Sequence, residues 1–424
     1  MKEKWEFKTL GILCDFVRGP FGGSLKKSCF KTSGYAVYEQ QHAIYDQFED
    51  IRYFIDESKY REMKRFELFP GDLIMSCSGT MGKVAIVPDG IPKGIINQAL
   101  LKLSPRKDIF ADFLKYWMNS PNFQNELIKL SQGVAIKNVA SVKVLKEIQI
   151  YLPLIPEQKR IVAILDEAFE GIDSAIANTE KNLTNSREIF ESYLNTIFTQ
   201  KGDGWVEKKL GDTEIIQIID GDRGTNYPQK SDFSSEGHCL FLNTKNVRSD
   251  GFSFDSTMFI TEEKDKLLRK GKLKRRDVIL TTRGTIGNIA IYDDSVKFEH
   301  IRINSGMLIF RPNEKIIKSE YLFEILRSSI LKSQIKKFTS GAAQPQLPIK
   351  TLVSFSFPVP TSLEEQSRII SNLHELQTET QRLETIYRQK LAALKELKQS
   401  ILQKAFTGEL TADTSKTVKE KIAA

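Results

Sequence analysis

The chain has 424 residues, of which 40% are hydrophobic and 27% are charged, and its formal net charge is +8. This length exceeds one ordinary hydrophobic core and predicts about two to four domains. No apolar run approaches the roughly 18 residues of a membrane-spanning helix, and the N-terminal segment lacks the apolar centre of a secretory signal. We therefore expect a cytoplasmic globular protein whose positive charge suits a polyanionic partner.

The cysteine and histidine residues indicate neither a disulfide framework nor a metal site. The four cysteines lie far apart and form no C-x-x-C pair: Cys14, Cys29, Cys77 and Cys239. The four histidines share no metal-ligand spacing. This distribution is typical of a cytosolic protein, so we expect no disulfide bond and no bound metal.

The first half of the chain begins with short strand-like runs separated by glycine and proline, as in a mixed α/β domain. The runs at 72–77 and 83–87 predict strands, a helical pattern follows at 112–130, and a proline-flanked strand lies at 147–156. A long helix comes next. Pro156 is expected in or just before its first turn, where a missing N–H costs little.

The second half has the same layout. Strands are predicted at 277–282 and 288–292, a helical pattern at 320–338 and a proline-flanked strand at 354–360. A second long helix follows this strand. Each half therefore predicts one mixed domain and one long helix.

Both long helices carry an apolar stripe with alternating steps of three and four residues, the period of a coiled coil. In the first helix the stripe consists of Val162, Leu165, Phe169, Ile172, Ile176, Thr179, Leu183, Ser186, Phe190, Tyr193 and Ile197. In the second it consists of Ile369, Leu373, Leu376, Thr380, Leu383, Tyr387, Lys390, Leu394, Leu397 and Ile401. Each helix covers about 40 residues, or roughly 60 Å. We expect the helices to pack on each other; the alternative is that each packs on its own globular domain.

The chain is an internal repeat, because segments of the first half return in the second half in the same order. The matched pairs are 5–11 with 205–211, 71–87 with 276–292, 96–105 with 303–312, 131–139 with 339–347, and 156–165 with 364–373. The offset rises gradually from 200 to 208 residues, as small loop insertions would produce. We infer a duplication.

Some motifs resemble catalytic sites, but their spacing and the comparison of the two halves do not support a catalytic role. The run SGTMGKV at 78–84 resembles a phosphate-binding loop, but its spacing fails and Asn288 replaces Lys83 in the repeat. Four glycines are better interpreted as tight-turn residues: Gly79, Gly82, Gly284 and Gly287. The acidic pair in 161–168 lies on the predicted coiled coil, and the E-x-K at 395–398 has no upstream acid. The sequence predicts a non-catalytic binding protein without its own cofactor.

The doubled motifs resemble the specificity subunits of type I restriction–modification systems. The resemblance extends from Trp5 to Leu410 and depends on the helix starts IPEQKRIVAIL and LEEQSRIISNL, the turns GTMGK and GTIGN, GAAQPQL, and the closing ILQKAFTGEL. The first half departs at 137–139, where KNV stands in place of QPQL. The resemblance implies an α+β fold with two tandem mixed α/β target-recognition domains, separated by two long antiparallel coiled-coil helices in a pseudo-twofold internal repeat.

The expected domain boundaries follow from the resemblance and the repeat. They are target-recognition domain 1 at 1–153, spacer helix 1 at 154–200, target-recognition domain 2 at 201–358, spacer helix 2 at 359–410, and a polar tail, expected to be disordered, at 411–424. A duplicated chain of this kind resembles a dimer with a covalent joint, which suits two separated DNA half-sites. Because the two halves differ in sequence, the target can be asymmetric.

The resemblance also implies function and partners. The chain would recognise a bipartite, asymmetric DNA target and direct adenine-N6 methylation and ATP-dependent restriction by partner subunits. Its partners would be double-stranded DNA, two methyltransferase subunits and restriction subunits. S-adenosylmethionine, ATP and magnesium would belong to those partners, and this chain would carry no catalytic residue.

Base recognition requires amide, hydroxyl, basic or aromatic side chains at strand ends, supported by phosphate contacts. At an offset of 203 residues, 37–44 and 240–247 share apolar flanks around a polar centre. Base contacts are expected from Gln40, Gln41, His42, Asn243, Lys245 and Asn246. Phosphate or groove contacts are expected from Arg18, Lys26, Lys27, Arg223, Tyr227 and Lys230, and further strand-end contacts from Ser76, Ser78, Thr282 and Arg283. The alternative for each residue is a place in a solvated loop.

Two other classes of protein stay open on the residues alone. A nuclease or ATPase acting alone would need the motifs that the repeat comparison removed. A stand-alone DNA-binding or structural coiled-coil protein, without restriction–modification partners, would explain the helices. A purely structural protein would not explain two strand-rich domains in a basic chain, and salt-sensitive DNA binding would distinguish it.

Overall fold

The computed structural model describes residues 5–21, 23–130, 139, 141–339 and 346–411. The chain divides into two compact units, the first formed by Met1–Glu180 with Gln389–Ala424 and the second by Lys181–Arg388. The tail expected at 411–424 and the repeated segments at 131–139 and 339–347 lie largely outside the described residues. None of the helices in the described ranges has the length and apolarity that crossing a membrane requires.

In the described residues of the first unit, three sheets precede a long helix. Its elements are β1 (Glu6–Thr9), α1 (Leu10–Leu13), β2 (Cys14–Arg18), β3 (Tyr35–Tyr38), α2 (Gln40–Tyr45), β4 (Phe54–Ile55), α3 (Glu57–Glu62), β5 (Leu73–Ser76), β6 (Val84–Ile86), β7 (Gly94–Ile96), β8 (Leu100–Pro105), α4 (Ala111–Met118), α5 (Pro121–Leu130), α6 (Val142–Lys146), β9 (Gln149–Leu152) and the start of α7 (Ile155–Thr199). The antiparallel sheet has the order β2-β8-β5-β6. In the second sheet β3 lies between β4 and β7 and is parallel to β7. β1 pairs with β9.

The second unit repeats this arrangement. Its elements are β10 (Trp205–Lys209), β11 (Ile216–Asp220), β12 (Cys239–Leu242), β13 (Val247–Arg248), β14 (Gly251–Phe252), β15 (Phe259–Ile260), α8 (Glu262–Leu267), β16 (Val278–Thr281), β17 (Ile289–Ile291), β18 (Ile301–Ile303), β19 (Met307–Pro312), α9 (Ser319–Arg327), α10 (Ser329–Thr339), α11 (Ile349–Leu352), β20 (Ser356–Pro360) and the start of α12 (Leu363–Thr407). The sheets are β11-β19-β16-β17, β15-β12-β18 and β10-β20, with an added hairpin, β13-β14. The two units therefore share one strand order, in agreement with the duplication inferred from the sequence.

The predicted strands and helices are confirmed, and the two helical patterns are each broken once. In the first unit the pattern forms α4 and α5, and Pro121 begins the second of them because proline has no N–H to donate within a helix. The glycines of the GTMG and GTIG turns have positive φ, with Gly82 at 77° and Gly287 at 91°. They join β5 to β6 and β16 to β17, which confirms the tight-turn interpretation.

The glutamine that recurs in both helix starts ties each long helix to its own unit. Gln158 is fully buried and its amide donates to the carbonyls of Pro153 (2.8 Å) and Asp108 (3.1 Å). Its Oε1 accepts from the N–H of Phe110 (2.8 Å), at the start of α4. Gln366 makes the same three contacts, with Pro360 (3.0 Å), Ile316 (2.9 Å) and Lys318 (2.9 Å). The repeated motif is thus a buried latch between the strand, the short helix and the long helix of each unit.

Most predicted stripe residues of the long helices are buried or half-buried, but the prediction fails at Lys390, which is exposed, and near the C-terminus of each helix. Tyr193 and Leu397 are 37% and 47% exposed, whereas Leu194 and Phe198, and likewise Leu402 and Phe406, are buried. A straight helix drifts by about 20° per heptad from a strict seven-residue repeat. The buried face therefore moves by one position over several heptads.

Both long helices contribute residues to the apolar core of each unit. Its core contains Leu165 of α7, Phe113 of α4 and Phe406 of α12 in one apolar cluster. The core of the second unit likewise joins Phe198 of α7 and Leu373 of α12 to the short helix α9. Each long helix therefore packs on a globular domain, and in each unit one apolar cluster includes residues of both long helices.

Candidate nucleic-acid interface

In the second unit the C-terminal ends of four strands, β11, β12, β16 and β18, meet at one place. Three hydrogen bonds join them: Asn304 N–H to the Leu242 carbonyl (3.1 Å), Thr282 N–H to the Gly306 carbonyl (2.8 Å), and Arg223 Nη2 to the Ser305 carbonyl (3.3 Å). Thr244 lies close to Gly306 in this cluster: a Cβ placed on Gly306 would lie 3.1 Å from the Thr244 methyl group. This second strand-end cluster brings together the segments that carry Arg223, Lys245 and Arg283.

The corresponding strands of the first unit, β2, β3, β5 and β7, form a first strand-end cluster. Its hydrogen bonds run from Asn97 N–H to the Tyr38 carbonyl (2.9 Å), from Cys77 N–H to the Ala99 carbonyl (2.9 Å), and from Ser78 N–H to Gln40 Oε1 (3.3 Å). Burial raises the pKa of the Cys77 thiol to about 12, and the neighbouring Arg18 guanidinium opposes that rise. Arg18, Gln40 and Ser78, predicted separately from the sequence, therefore lie together.

His42 and Asn246 were expected to contact bases, but both side chains are buried, with exposures of 0% and 2%. His42 Nδ1 accepts from the N–H of Glu39 (2.9 Å) and caps α2. Asn246 Oδ1 accepts from the N–H of Asn243 (3.0 Å), and its amide donates to the carbonyls of Ser253 and Ser256. Because both side chains are buried and each is hydrogen-bonded to the backbone, neither reaches a base edge in this conformation, so these two expectations were wrong.

The sequence alignment of these two segments was also wrong by one residue. In the first unit Ala36 lies opposite Gly94 on the parallel neighbour strand, and in the second unit Leu240 lies opposite Ile301 in the same way. Ala36 therefore corresponds to Leu240, an offset of 204 residues. At this offset His42 matches Asn246, and the two perform the same capping role. The next matched pair is then Gln41, which is half-buried, and Lys245, which is exposed.

Ser76 and Thr282 are corrected for the same reason. Ser76 is fully buried, and its Oγ accepts from the N–H of Lys83 (3.0 Å). Thr282 is 6% exposed, and its Oγ1 donates to the Gly306 carbonyl (3.1 Å). Both hydroxyls stabilise the strand ends.

The remaining predicted residues lie at the surface, fully or in part. The exposed ones are Lys26, Lys27, Arg223, Lys230, Lys245 and Arg283, and the half-buried ones are Arg18, Gln40, Gln41, Ser78, Tyr227 and Asn243. Gln41 donates to the Asp50 carbonyl (3.0 Å), and Tyr227 packs edge-on against Phe241. Within the described part of the chain, the side chains of Lys245 and Arg283 make no hydrogen bond or ion pair. These two cations are available to a ligand.

Asp222 is a positioning residue that the sequence analysis missed. Its carboxylate accepts from the N–H groups of Gly224 (2.7 Å), Arg269 (2.7 Å) and Lys270 (3.3 Å). Burial opposes ionisation of Asp222, but these three bonds outweigh burial and hold the pKa of the carboxyl below its ordinary value. The contacts fasten the loop of Arg223 to a second loop with the exposed cations Arg269 and Lys270. The basic run at 268–276 was the available sequence signal.

A buried ion pair stabilises the same region of the second unit. Arg302 is 5% exposed; its Nε donates to Asp265, and its other nitrogens donate to the carbonyls of Asp265 (2.7 Å), Leu268 (3.0 Å) and Lys270 (2.7 Å). At the matching positions of the first unit stand Tyr60 and Ile95, which belong to an apolar cluster. The two units thus support equivalent loops by different interactions.

Each cluster presents amide, hydroxyl or basic groups at the edge of a rigid sheet, which suits contacts with base edges and phosphates. The family described as "Type I restriction modification DNA specificity domain" matches residues 2–185 and 202–393. The chain belongs to this family. Its function is DNA target recognition in a restriction–modification system, and a purely structural coiled-coil role is not favoured.

Two relatives are named specificity subunits, and two solved structures share the fold. The chain is 24% identical over 364 residues to the type I restriction enzyme EcoBI specificity subunit of Escherichia coli, covering 81% of this chain and 75% of the relative. It is 25% identical over 429 residues to the MjaVIII specificity subunit of Methanocaldococcus jannaschii, covering 96% and 93%. The fold is similar to a chain from a structure on complex assembly and conformational transition of the type I R-M system (TM-score 0.76, 20% identity, covering 96% and 99%). It is also similar to the HsdS subunit from Thermoanaerobacter tengcongensis (TM-score 0.62, 20% identity, covering 96% and 98%).

Proposed function

We propose that the chain recognises a bipartite, asymmetric DNA target, with residues 1–153 and 201–358 each recognising one half-site. The observation that carries this proposal is the presence of one strand-end cluster in each unit, built on the same strand order but with different side chains. Where the first cluster presents Gln41 and Ser78, the second presents Lys245 and Arg283. Equal scaffolds with unequal side chains suit two different half-sites.

Base contacts in this proposal come from the side chains that remain accessible. They are Gln40, Gln41 and Ser78 in the first unit and Asn243, Lys245 and Arg283 in the second. Arg18, Lys26, Lys27, Arg223, Tyr227 and Lys230 contact phosphates or the groove. Arginine and lysine favour guanine, and glutamine and asparagine favour adenine, because their donors and acceptors match those base edges.

The two long helices are proposed to act as spacers, at 154–200 and 359–410, that form an antiparallel coiled coil with pseudo-twofold symmetry. Two observations support this. In the first unit Lys398 Nζ lies 2.6 Å from Asp173 Oδ1, and in the second unit Arg187 Nε lies 3.2 Å from Glu384 Oε2. Along α7 the partner numbers on α12 therefore fall as the residue numbers rise, as an antiparallel pair requires. The polar tail at 411–424 follows the second spacer.

The chain is further proposed to act without catalysis of its own, in the cytoplasm, beside partner subunits. Two methyltransferase subunits would transfer a methyl group to adenine N6 from S-adenosylmethionine, and restriction subunits would use ATP and magnesium. Support comes from the relatives, which are named as subunits of type I restriction enzymes. A similar chain also comes from a structure on assembly of such a system.

The experiment that tests the proposal is a map of methylated adenines in cells that carry the chain and its methyltransferase partner. Lys245→Ala with Arg283→Ala should alter only one half of the bipartite motif, because each lost bidentate base contact costs about 1 to 3 kcal/mol of discrimination. The matched control is Lys315→Ala with Lys350→Ala, which removes the same charge from exposed positions of the same unit. An unchanged motif in the first variant, or equal changes in both halves, would contradict the proposed role of the second unit.

A further inference from the structure

Phe21 is 85% exposed, more than any other large hydrophobic side chain in the described part of the chain. A single exposed apolar residue is ordinary on a protein surface. The position of Phe21 is what separates it from the others. It lies three residues beyond Arg18, in the loop that leaves the first strand-end cluster.

The backbone that carries Phe21 is anchored to this cluster. The N–H of Gly19 donates to the Leu100 carbonyl (2.9 Å), and a Cβ on Gly19 would lie only 1.8 Å from the Asn97 carbonyl oxygen. Pro20 follows and restricts φ near −65°. The Phe21 carbonyl then accepts from the N–H of Ser24 (3.0 Å). Close approach and proline together fix where the ring leaves the sheet edge.

The second unit shows what occupies the equivalent position there. Gly221 lies close to the Asn304 carbonyl, as Gly19 does to the Asn97 carbonyl. A Cβ placed on Gly221 would lie 2.2 Å from the Asn304 oxygen. Two residues beyond Gly221 lies Arg223, the counterpart of Phe21. The guanidinium can donate to a phosphate or a base acceptor, whereas a phenyl ring has no hydrogen-bonding group. The loops of the two units therefore offer different chemistry to DNA at one equivalent position.

We propose that Phe21 is a specificity-determining residue whose ring contacts the 5-methyl group of a thymine in the major groove of the first half-site. This inference rests on the proposed function. On base edges in the major groove, the thymine methyl is the apolar group, so a ring without donors gains most there. Insertion between base pairs would require unstacking, a cost that a methyl contact avoids. Exposed Lys26 and Lys27 in the same loop supply phosphate contacts that hold the loop against the duplex.

The test measures binding of the full complex, with its methyltransferase partner, to DNA duplexes. The duplexes contain the target sequence identified by the methylation map. Each thymine of the first half-site is replaced in turn by uracil, which lacks only the methyl group. For the unaltered chain, one replacement should weaken binding about three- to tenfold, the scale of one buried methyl contact. Phe21→Ala should weaken binding to the natural duplex by a similar factor and show no further loss with that uracil duplex. Phe21→Leu, which keeps an apolar side chain, should retain part of the preference.

The control is Phe7→Ala, which removes another exposed phenylalanine of the same unit, in β1 rather than in the strand-end cluster. It should bind every duplex as the unaltered chain does. The inference is overturned if Phe21→Ala binds like the unaltered chain, if it keeps the same uracil penalty, or if the first half-site contains no thymine. Absence of any sequence preference in the unaltered complex would overturn the proposed function as well, so the two failures are distinguishable.

Discussion

The buried latch formed by Gln366 gives a prediction whose size follows from counted hydrogen bonds. Gln366→Met keeps the approximate shape of the side chain but removes two donated bonds and one accepted bond, all made by a fully buried amide. A typical buried hydrogen bond contributes about 0.5 to 1.5 kcal/mol. The free energy of unfolding of the second unit should therefore fall by roughly 2 to 4 kcal/mol.

Intrinsic fluorescence can measure this in one unit at a time. The chain has three tryptophans, and Trp205 belongs to the second unit, whereas Trp5 and Trp117 belong to the first. In a background with Trp5→Phe and Trp117→Phe, urea unfolding followed at Trp205 reports on the second unit. Gln381→Met, at an exposed position of the same helix, is the matched control. A loss for Gln366→Met no larger than that of the control would refute the latch.

Three further predictions concern buried charge and the spacer. Asp265→Asn leaves the Arg302 guanidinium buried without its carboxylate, and should lower the unfolding free energy by about 3 to 5 kcal/mol in the Trp205 assay. Glu324 of α9 is buried beside Arg327, and burial raises the pKa of its carboxyl from 4.5 to about 7 although the Arg327 guanidinium opposes this rise. The stabilising contribution of Glu324 is therefore complete below pH 4.5 and is lost as the pH rises through 7. Relative to Glu324→Gln, the free energy of unfolding of the unaltered chain should therefore fall by about 3 kcal/mol between these pH values. Parallel plots of unfolding free energy against pH for the two chains would contradict this. One heptad inserted after Leu183 and one near Leu383 adds roughly 10 Å to each helix. The gap between the half-sites, read from the methylation map, should then lengthen by up to about three base pairs. An active variant with an unchanged gap would show that the helices do not set the spacing.

Local patterns were sufficient to predict much of the fold. The GTMG and GTIG turns, the proline at the start of α7 and most of the apolar stripe of each long helix depend on residues close in sequence, and these are found. The stripe failed at Tyr193 and Leu397 because a small rotation per heptad accumulates over a long helix. That drift is set by the packing partners, which the sequence pattern does not contain.

The site was less predictable because polarity does not distinguish a ligand contact from a capping contact. His42 and Asn246 are polar residues at strand ends, as a base contact requires, yet both satisfy backbone groups inside the protein. Phe21 was missed for the opposite reason, since an apolar residue in a loop carries no polar signal. Its exposure and its counterpart Arg223 became evident only from the anchored glycines of the two loops.

If each unit recognises its own half-site, exchanging the domains should change the target in a defined way. Residues 201–358 are replaced by a second copy of residues 1–153, and methylated adenines are then mapped in cells with the methyltransferase partner. The shared strand order of the two units allows this exchange. The expected target is symmetric, with the first half-site occurring twice in inverted orientation. A methylated motif that keeps its original second half-site would show that residues 201–358 do not recognise that half-site.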